Sequence, residues 1–197
     1  TASLCNAIAV DGNLTISNGV IDVSAANYLI TLKGKWLNGK VGDGFIERGG
    51  TVFKSGSALP SIRKSSGETF WDLRINNSAG IILSAGNAFV SNTLTMTNGN
   101  INANSYTLAL TSPAVTSLVH TSGNLYGGIF RRAVNTTTGN YLFPVGTGNY
   151  YNSCIIDYSG LNPTGNTDVQ FFPVDPVNYG GLPLSERGVN ISSHYTD

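Results

Sequence analysis

The chain has 197 residues, and its 11 lysine and arginine residues balance its 11 aspartate and glutamate residues. Only 11% of the residues are charged and no basic run exceeds two residues, so nucleic-acid binding is not expected, because phosphates are neutralised by clustered basic side chains. Asparagine, serine, threonine and glycine supply 85 residues, yet 41% of the chain is hydrophobic, which indicates a folded protein. No apolar run approaches the roughly 20 residues of a membrane span, so membrane insertion is not expected.

Short runs of alternating apolar and polar residues occur along the whole chain, each ended by Gly, Asn, Ser or Pro, and helical periodicity is nearly absent. This pattern predicts an all-β protein. The runs include Leu14–Ile16, Val20–Val23, Tyr28–Leu32, Phe70–Ile75, Thr93–Met96, Tyr106–Leu110, Ile129–Arg132 and Val169–Phe172.

The sequence also contains a repeat. Residues 13–23 (NLTISNGVIDV) match residues 93–103 (TLTMTNGNINA), and weaker copies between and after them follow at steps of 17 to 24 residues. Such steps predict a right-handed parallel β-helix, or β-solenoid, over residues 1–125 with rungs of about 20 residues. The residues expected to point into its core are Ile16, Trp36, Phe53, Ile75, Met96 and His120.

Asparagine or serine occupies a second repeated position, close to a glycine in most copies. Glycine accepts positive φ, and stacked asparagine side chains can bond one another or the turn backbone, so this position predicts a ladder of structural turns at one edge. The asparagines of the ladder are Asn18, Asn38, Asn77 and Asn98. The alternative is a meander, in which Asn18-Gly19 and Asn98-Gly99 form ordinary hairpin turns.

The sequence changes character after about residue 125. Six of the seven prolines lie at or after Pro113, the apolar runs lengthen and the repeat fades. We therefore predict a second unit over residues 126–197, smaller, β-sandwich-like and possibly incomplete. Such a unit can cover the open edge of the last rung.

The two cysteines, Cys5 and Cys154, form no metal-binding pair, and neither histidine is near them in the sequence. They can form a disulfide only if the fold brings their Cα atoms within about 7 Å; the alternative is two separate buried thiols. No cofactor is expected. Structural calcium is a minor alternative through Asp168, Asp175 and backbone carbonyls, although no calcium-loop motif occurs.

Candidates for catalysis are scarce. The acidic residues are scattered rather than repeated at one column, and no Gly-x-Ser-x-Gly motif occurs. His120 falls in the inward column, which favours a hydrogen-bonded core histidine. Only in the C-terminal unit could acidic residues come together in a way that no repeat predicts, and we expect them to lie apart there as well. These acids are Asp157, Asp168, Asp175 and Glu186. We therefore expect a protein that is not an enzyme.

Tyrosines are the candidate ligand-binding residues. An exposed ring can stack on a sugar, although tyrosines packed within a β-sandwich are the plainer interpretation. The candidates are Tyr126, Tyr150, Tyr151 and Tyr179.

Two segments carry a resemblance to a known group of proteins. Residues 125–132 (LYGGIFRR), followed by residues 139–146 (GNYLFPVG), resemble strands of large secreted and cell-surface proteins of the Bacteroidota, many of them exported by the type IX secretion system. Residues 49–53, 70–75 and 94–101 are also similar to segments of that group. The resemblance covers residues 10 to 175, and its motifs are structural.

The resemblance implies an internal piece of a long, adhesin-like molecule at the cell surface. The expected function is thus a non-catalytic structural or adhesive module of an extracellular protein, with other domains of the same protein as partners. One alternative is a carbohydrate-binding or accessory module of a secreted polysaccharide-active enzyme. Another is a subunit that self-associates into filaments through exposed strand edges.

Overall fold

The fold is given by a computed structural model, which describes residues 1–135, 139–158 and 163–173, and the backbone of two short strands at 185–186 and 189–190. The chain forms a β-solenoid of about six stacked coils, with about 22 residues per coil. In the described residues the helical structure is a single 3-10 turn, Val115–Ser117. Strands of successive coils run parallel, which confirms the predicted solenoid and excludes the meander.

Each coil of the N-terminal half contributes one short strand to each of three faces. The strands are β1 (Ala2–Ser3), β2 (Ile8–Val10), β3 (Leu14–Ile16), β4 (Ile21–Asp22), β5 (Ile30–Leu32), β6 (Trp36–Asn38), β7 (Phe45–Ile46), β8 (Thr51–Gly56) and β9 (Ser61–Arg63). The first face consists of β2, β5 and β8, the second of β3, β6 and β9, and the third of β1, β4 and β7.

In the next coils the third and first faces merge, because two long strands run across both. The first long strand bends at an irregularity between Phe70 and Asp72. The strands of this part are β10 (Glu68–Asn77), β11 (Ile81–Ala85), β12 (Ala88–Asn98), β13 (Ile101–Asn102), β14 (Thr107–Leu110), β15 (Leu118–His120) and β16 (Leu125–Tyr126).

The last coil ends with a strand that pairs in parallel with β14, so parallel stacking continues past residue 125. Antiparallel strands follow it, and the division into two domains stays a prediction. The strands are β17 (Ile129–Val134), β18 (Asn140–Phe143), β19 (Cys154–Asp157), β20 (Gly165–Val169), β21 (Ser185–Glu186) and β22 (Val189–Asn190).

The core is built from lines of equivalent side chains that run along the solenoid axis. A short strand buries too little apolar area alone, so each inward side chain packs on its counterpart in the next coil. On the first face the register aligns Ile30, Val52, Leu73 and Leu94 in one line. All four are almost fully buried.

The predicted inward column is partly correct. Ile16, Trp36, Ile75 and Met96 are buried, but the first two lie on the second face and the last two on the first face. Phe53 was predicted to point inward, and this was wrong. It lies between two buried positions of β8, faces outward, and is covered by the Arg74 guanidinium, whose central carbon is 5.1 Å from the ring centroid.

The 80-residue repeat relates different faces of the solenoid. Leu14 belongs to the second face, whereas Leu94, its match in the sequence, belongs to the first. The distance of 80 residues is not a whole number of coils of about 22 residues. The two segments are therefore similar because they have the same local structure, a strand, a tight turn and a second strand, at two different corners of the solenoid.

Residues 125–132 and 139–146 lie at the C-terminal end of the stack. Arg132 lies in line with Phe70, Val90 and Leu110, and is 1% exposed. Its guanidinium donates to the carbonyls of Leu142, Ala114 and Val115. Strand β20 pairs antiparallel with β17, so part of the last coil's edge is covered, as the sequence predicted.

Candidate functional site

An open groove crosses the corners between the first and second faces of successive coils. It has a volume of about 400 Å³. Because strands of neighbouring coils are about 4.8 Å apart, a groove that crosses several corners lies along the solenoid axis. Its polar and aromatic lining residues include Ser78, Asn98, Asn100, Ser122 and Tyr126, and Leu59 lines it as well.

Glycines form the corners beneath this groove. Gly80, Gly99 and Gly123 have φ values of 78°, 90° and 87°, a region that side chains other than glycine's rarely adopt. A Cβ atom at Gly99 would collide with the carbonyl oxygen of Asn77, and one at Gly123 with the carbonyl oxygen of Gly99. The corners therefore stack backbone on backbone, which leaves room for the groove.

Two asparagines close one end of the groove. The Asn100 side chain accepts a hydrogen bond from the Asn124 backbone N–H at 3.0 Å and donates to the Gly148 carbonyl at 2.8 Å. The Asn124 side chain donates to the Tyr150 carbonyl at 2.8 Å. These bonds hold the loop at 147–150 against the last corner, so the groove ends on the C-terminal unit.

The turn ladder predicted at Asn18, Asn38, Asn77 and Asn98 does not form as one edge. Asn18 and Asn98 are exposed, whereas Asn38 and Asn77 are buried on different faces. The register places Asn38 beside Ile16, not beside Asn18. Three of the four predicted asparagines precede a glycine directly, whereas the side chains that join coils at the groove, Asn100 and Asn124, follow one.

The candidate tyrosines are distributed around the C-terminal end. Tyr126 is half-buried and lines the groove. Tyr150 is 71% exposed, and Tyr151 stacks on His120 with ring centroids 5.5 Å apart. Tyr179 lies outside the described residues. His120 donates from Nε2 to the Gly123 carbonyl at 2.7 Å. The predicted hydrogen bond is therefore present, but the predicted core position is not, because His120 is half-buried.

The described lining residues of the groove carry no formal charge, and several acids lie elsewhere in ion pairs. Asp11 pairs with Lys33 at 2.9 Å, Asp22 with Arg48 at 2.5 Å and Asp168 with Arg131 at 2.6 Å. The hydrogen bond from each basic partner holds the pKa of that carboxyl below its usual range.

Two of the four acids considered in the C-terminal region, Asp157 and Asp168, lie within the described residues. Asp168 is engaged with Arg131 across β17 and β20. Asp157 lies on β19, in a different sheet. Asp175 and the side chain of Glu186 lie outside the described residues, so the predicted scatter of these four acids stays a prediction.

The possible disulfide between Cys5 and Cys154 does not form, and both cysteines are free. They are separate thiols, as the alternative stated, but neither is fully buried. Cys5 is exposed and follows β1 of the first coil, while Cys154 is half-buried in the hairpin beyond the last coil. Five steps of about 4.8 Å between stacked coils exceed the roughly 7 Å that a disulfide spans.

The described residues contain no group of three or more His, Cys, Asp or Glu side chains that could hold a metal ion. Within the same residues, no helix is both long and apolar enough to cross a membrane.

Comparison of the chain with protein-family models, with curated proteins and with solved structures finds no match. The geometry of the chain itself is therefore what bears on its function.

Proposed function

We propose that this chain is a non-catalytic structural and adhesive module of an extracellular surface protein. The observation that carries the proposal is the groove: an uncharged depression that crosses several coils and includes Tyr126 in its lining. The solenoid gives length and resistance to proteases, and the groove gives a place of contact with a surface.

The chemistry of the groove favours a neutral ligand rich in hydroxyl groups. Asn98 and Ser122 offer amide and hydroxyl groups that both donate and accept hydrogen bonds. The half-buried ring of Tyr126 offers an apolar face with a polar tip. A neutral glycan presents the complementary groups, hydroxyls at its edges and C–H groups on its ring faces.

The ion pairs of the surface agree with a structural role. Asp22 and Arg48 join the second and third coils on the third face, and Arg131 and Asp168 join the last coil to the strand that covers it. Each pair connects elements that are distant in the sequence. Their charges stabilise the stack, and none of these four residues lines the groove.

Binding of the purified chain to a panel of neutral glycans tests the proposal. We expect at least one glycan to bind, and Tyr126→Ala to weaken that binding at least tenfold, because the ring supplies the apolar contact. Tyr28→Ala is the matched control, since Tyr28 lies between β4 and β5 and does not line the groove. Equal loss with both variants would contradict a role for the groove, and release of reducing ends from the bound glycan would contradict the non-catalytic assignment.

A carbohydrate-binding or accessory module of a secreted polysaccharide-active enzyme is the second candidate, and the same groove favours it. It differs from the first in the neighbouring domains rather than in the site. The sequence of the whole parent protein separates the two: a catalytic domain in the same chain would support the accessory module, and further adhesin-like repeats would support the surface protein.

Self-association is the third candidate, and the first coil favours it. Strands β1, β2 and β3 each pair on one side only within the described residues, and such edges can accept another strand. Light scattering over a range of concentrations tests this candidate. A particle size that grows with concentration supports filament assembly, and a constant size contradicts it.

A further inference from the structure

A buried cluster of polar side chains lies inside the second and third coils, away from the groove. The parallel register pairs Trp36 with Ile62 and Leu37 with Arg63, and its continuation by one residue places Asn38 opposite Lys64. Both point inward and are only 3% and 7% exposed. Inward neighbours on adjacent strands have backbones about 4.8 Å apart, so the lysine stem can bring its amine to the asparagine amide.

Glu68 joins these two side chains. Its Oε2 accepts hydrogen bonds from Asn38 Nδ2 at 2.8 Å and from Trp36 Nε1 at 2.6 Å. Its Oε1 faces Lys64 Nζ at 3.5 Å. Glu68 is 1% exposed, so an amine and a primary amide are held on the two oxygens of one buried carboxylate.

Three aromatic rings surround the cluster. The ring centroids of Trp36 and Phe45 are 4.7 Å apart, and those of Trp36 and Phe70 are 5.4 Å apart. All three rings are at most 5% exposed. Water is thereby excluded, and an unpaired charge in such surroundings is costly. A reaction that removes both buried charges, that of Lys64 and that of Glu68, is therefore favoured.

We propose that Lys64 and Asn38 condense to an intramolecular isopeptide bond, with Glu68 as the residue that transfers the protons. The Lys64 ammonium gives a proton to Glu68, and the neutral amine attacks Cγ of Asn38. The new Nζ–Cγ bond forms as the Cγ–Nδ2 bond breaks. Glu68 transfers the second proton lost by Nζ to Nδ2, which leaves as ammonia. The products are one secondary amide, one molecule of ammonia and the neutral carboxylic acid of Glu68, and no oxidant or cofactor is needed.

Two backbone contacts of this corner favour the attack. Asn38 Oδ1 accepts the Lys40 N–H at 3.2 Å, and this donor stabilises the negative charge that develops on the oxygen when Cγ becomes tetrahedral. The Gly39 N–H donates to the Ile16 carbonyl at 2.8 Å. The backbone nitrogen that would otherwise cyclise onto Asn38 is thus turned toward the previous coil.

The crosslink would join the second coil to the third through a covalent bond. A bond that closes a loop of the chain restricts the unfolded state and opposes separation of the coils. This inference does not depend on the proposed function, because it concerns the core and not the groove.

Intact-mass measurement of the folded, purified chain is the first test. We expect a mass below that of the sequence by one ammonia. We also expect trypsin digestion of the denatured chain to leave the bond after Lys64 uncut and to yield a branched peptide that contains both Asn38 and Lys64. The full sequence mass in the folded wild-type chain would overturn the proposal, as would a lost ammonia that maps to a linear peptide, the signature of a succinimide at an Asn-Gly pair.

Variants test the assigned roles. Lys64→Met keeps the apolar stem and should restore the full mass. Glu68→Gln keeps the shape and should also leave the chain at full mass, because it removes the proton acceptor. Lys54→Met is the matched control, since Lys54 is a buried lysine whose amine bonds the Gly34 carbonyl, and it should still lose ammonia. Ammonia loss that persists in Lys64→Met, or an unchanged crosslink in Glu68→Gln, would contradict the assignment; the wild-type mass decides the question even if a variant fails to fold.

Discussion

At the scale of single residues, the direction in which a side chain points from its strand decides whether it packs in the core or lies on the surface. In β8, Val52 and Lys54 point into the solenoid, and Phe53 between them points out. Successive side chains of a strand alternate between its two sides, so an error of one residue in register exchanges core and surface. That is why an aromatic residue can lie outside while a lysine lies inside.

Ile75 and Phe53 provide a direct comparison of the two directions. Ile75 is fully buried between neighbouring coils, and we expect Ile75→Ala to lower the free energy of unfolding by about 2–5 kcal/mol. Phe53→Ala should lower it by only about 1 kcal/mol, because the ring is half-exposed and its contact with Arg74 is on the surface. Denaturant unfolding measures both, and equal losses would contradict the register.

Lys54 makes stability depend on pH in the alkaline range. Burial lowers the pKa of its amine from 10.5 to about 8. Between these values the unfolded chain binds more protons than the folded one, so stability rises with pH from about 8 to 10.5. The rise is at most about 1.4 kcal/mol per pH unit.

Lys54→Met should abolish that rise and make the chain more stable at neutral pH. Lys35→Met is the control, because Lys35 is exposed. Thermal or denaturant unfolding at several pH values gives the comparison, and parallel stability curves for the wild type and Lys54→Met would contradict the interpretation.

At the scale of elements, asparagine amides at the corners bind the backbone one coil later. Asn13 Oδ1 accepts the N–H of Lys35, Asn27 Oδ1 that of Gly49, and Asn87 Oδ1 that of Thr107, over separations of 22, 22 and 20 residues. A corner has no strand partner for some of its N–H groups, and the amide satisfies them. The high asparagine content therefore reflects repeated bonds between coils.

Asn100 and Asn18 test this role of the amide. Asn100→Ala removes two hydrogen bonds, one to the next coil and one to the loop at Gly148, and we expect a loss of about 1–3 kcal/mol in the free energy of unfolding. Asn18→Ala should change it by less than about 0.5 kcal/mol, because Asn18 is exposed. Equal losses of unfolding free energy for the two variants, measured by urea unfolding, would contradict this role of Asn100 and support the turn ladder predicted from the sequence.

At the scale of the whole molecule, the C-terminal end of the stack is held by a buried cation. Arg132 bonds three backbone carbonyls, and its guanidinium lies 4.9 Å from the centroid of the Tyr141 ring. The Tyr141 hydroxyl donates to the Pro113 carbonyl at 2.7 Å. Burial lowers the pKa of Arg132 to about 10, so the guanidinium remains charged at neutral pH.

Arg132→Leu should loosen the C-terminal unit while the first coils stay folded. It removes the hydrogen bonds to the carbonyls of Leu142, Ala114 and Val115, each of which contributes about 1 kcal/mol. Hydrogen exchange with mass spectrometry should show faster exchange at residues 140–157 and little change before residue 60. Arg131→Leu is the control, since its ion pair with Asp168 is half-exposed and contributes about 0–1 kcal/mol; unchanged exchange in Arg132→Leu would contradict this role.

The amino-acid sequence alone determined the class of the fold. Short alternating runs and corners rich in asparagine and glycine require β-strands, and steps near one coil length require stacking, because a single rung cannot bury its apolar side. The change in the sequence after residue 125 also predicted a cover for the last coil, and Arg132 and Phe143 are both buried in that region. These features depend on residues that are close together in the sequence, so they can be predicted without knowing which coils meet.

Only the tertiary structure decided which face each repeat occupies and which side chains meet across coils. The match of Leu14 with Leu94 in the sequence relates two different faces of the solenoid. In β8 the inward position belongs to Lys54, one residue after Phe53, for which the sequence had predicted it. The groove and the cluster of Asn38, Lys64 and Glu68 each require contacts between separate coils. The length of each corner sets those contacts, and the corners vary by several residues, so no fixed period in the sequence can specify them.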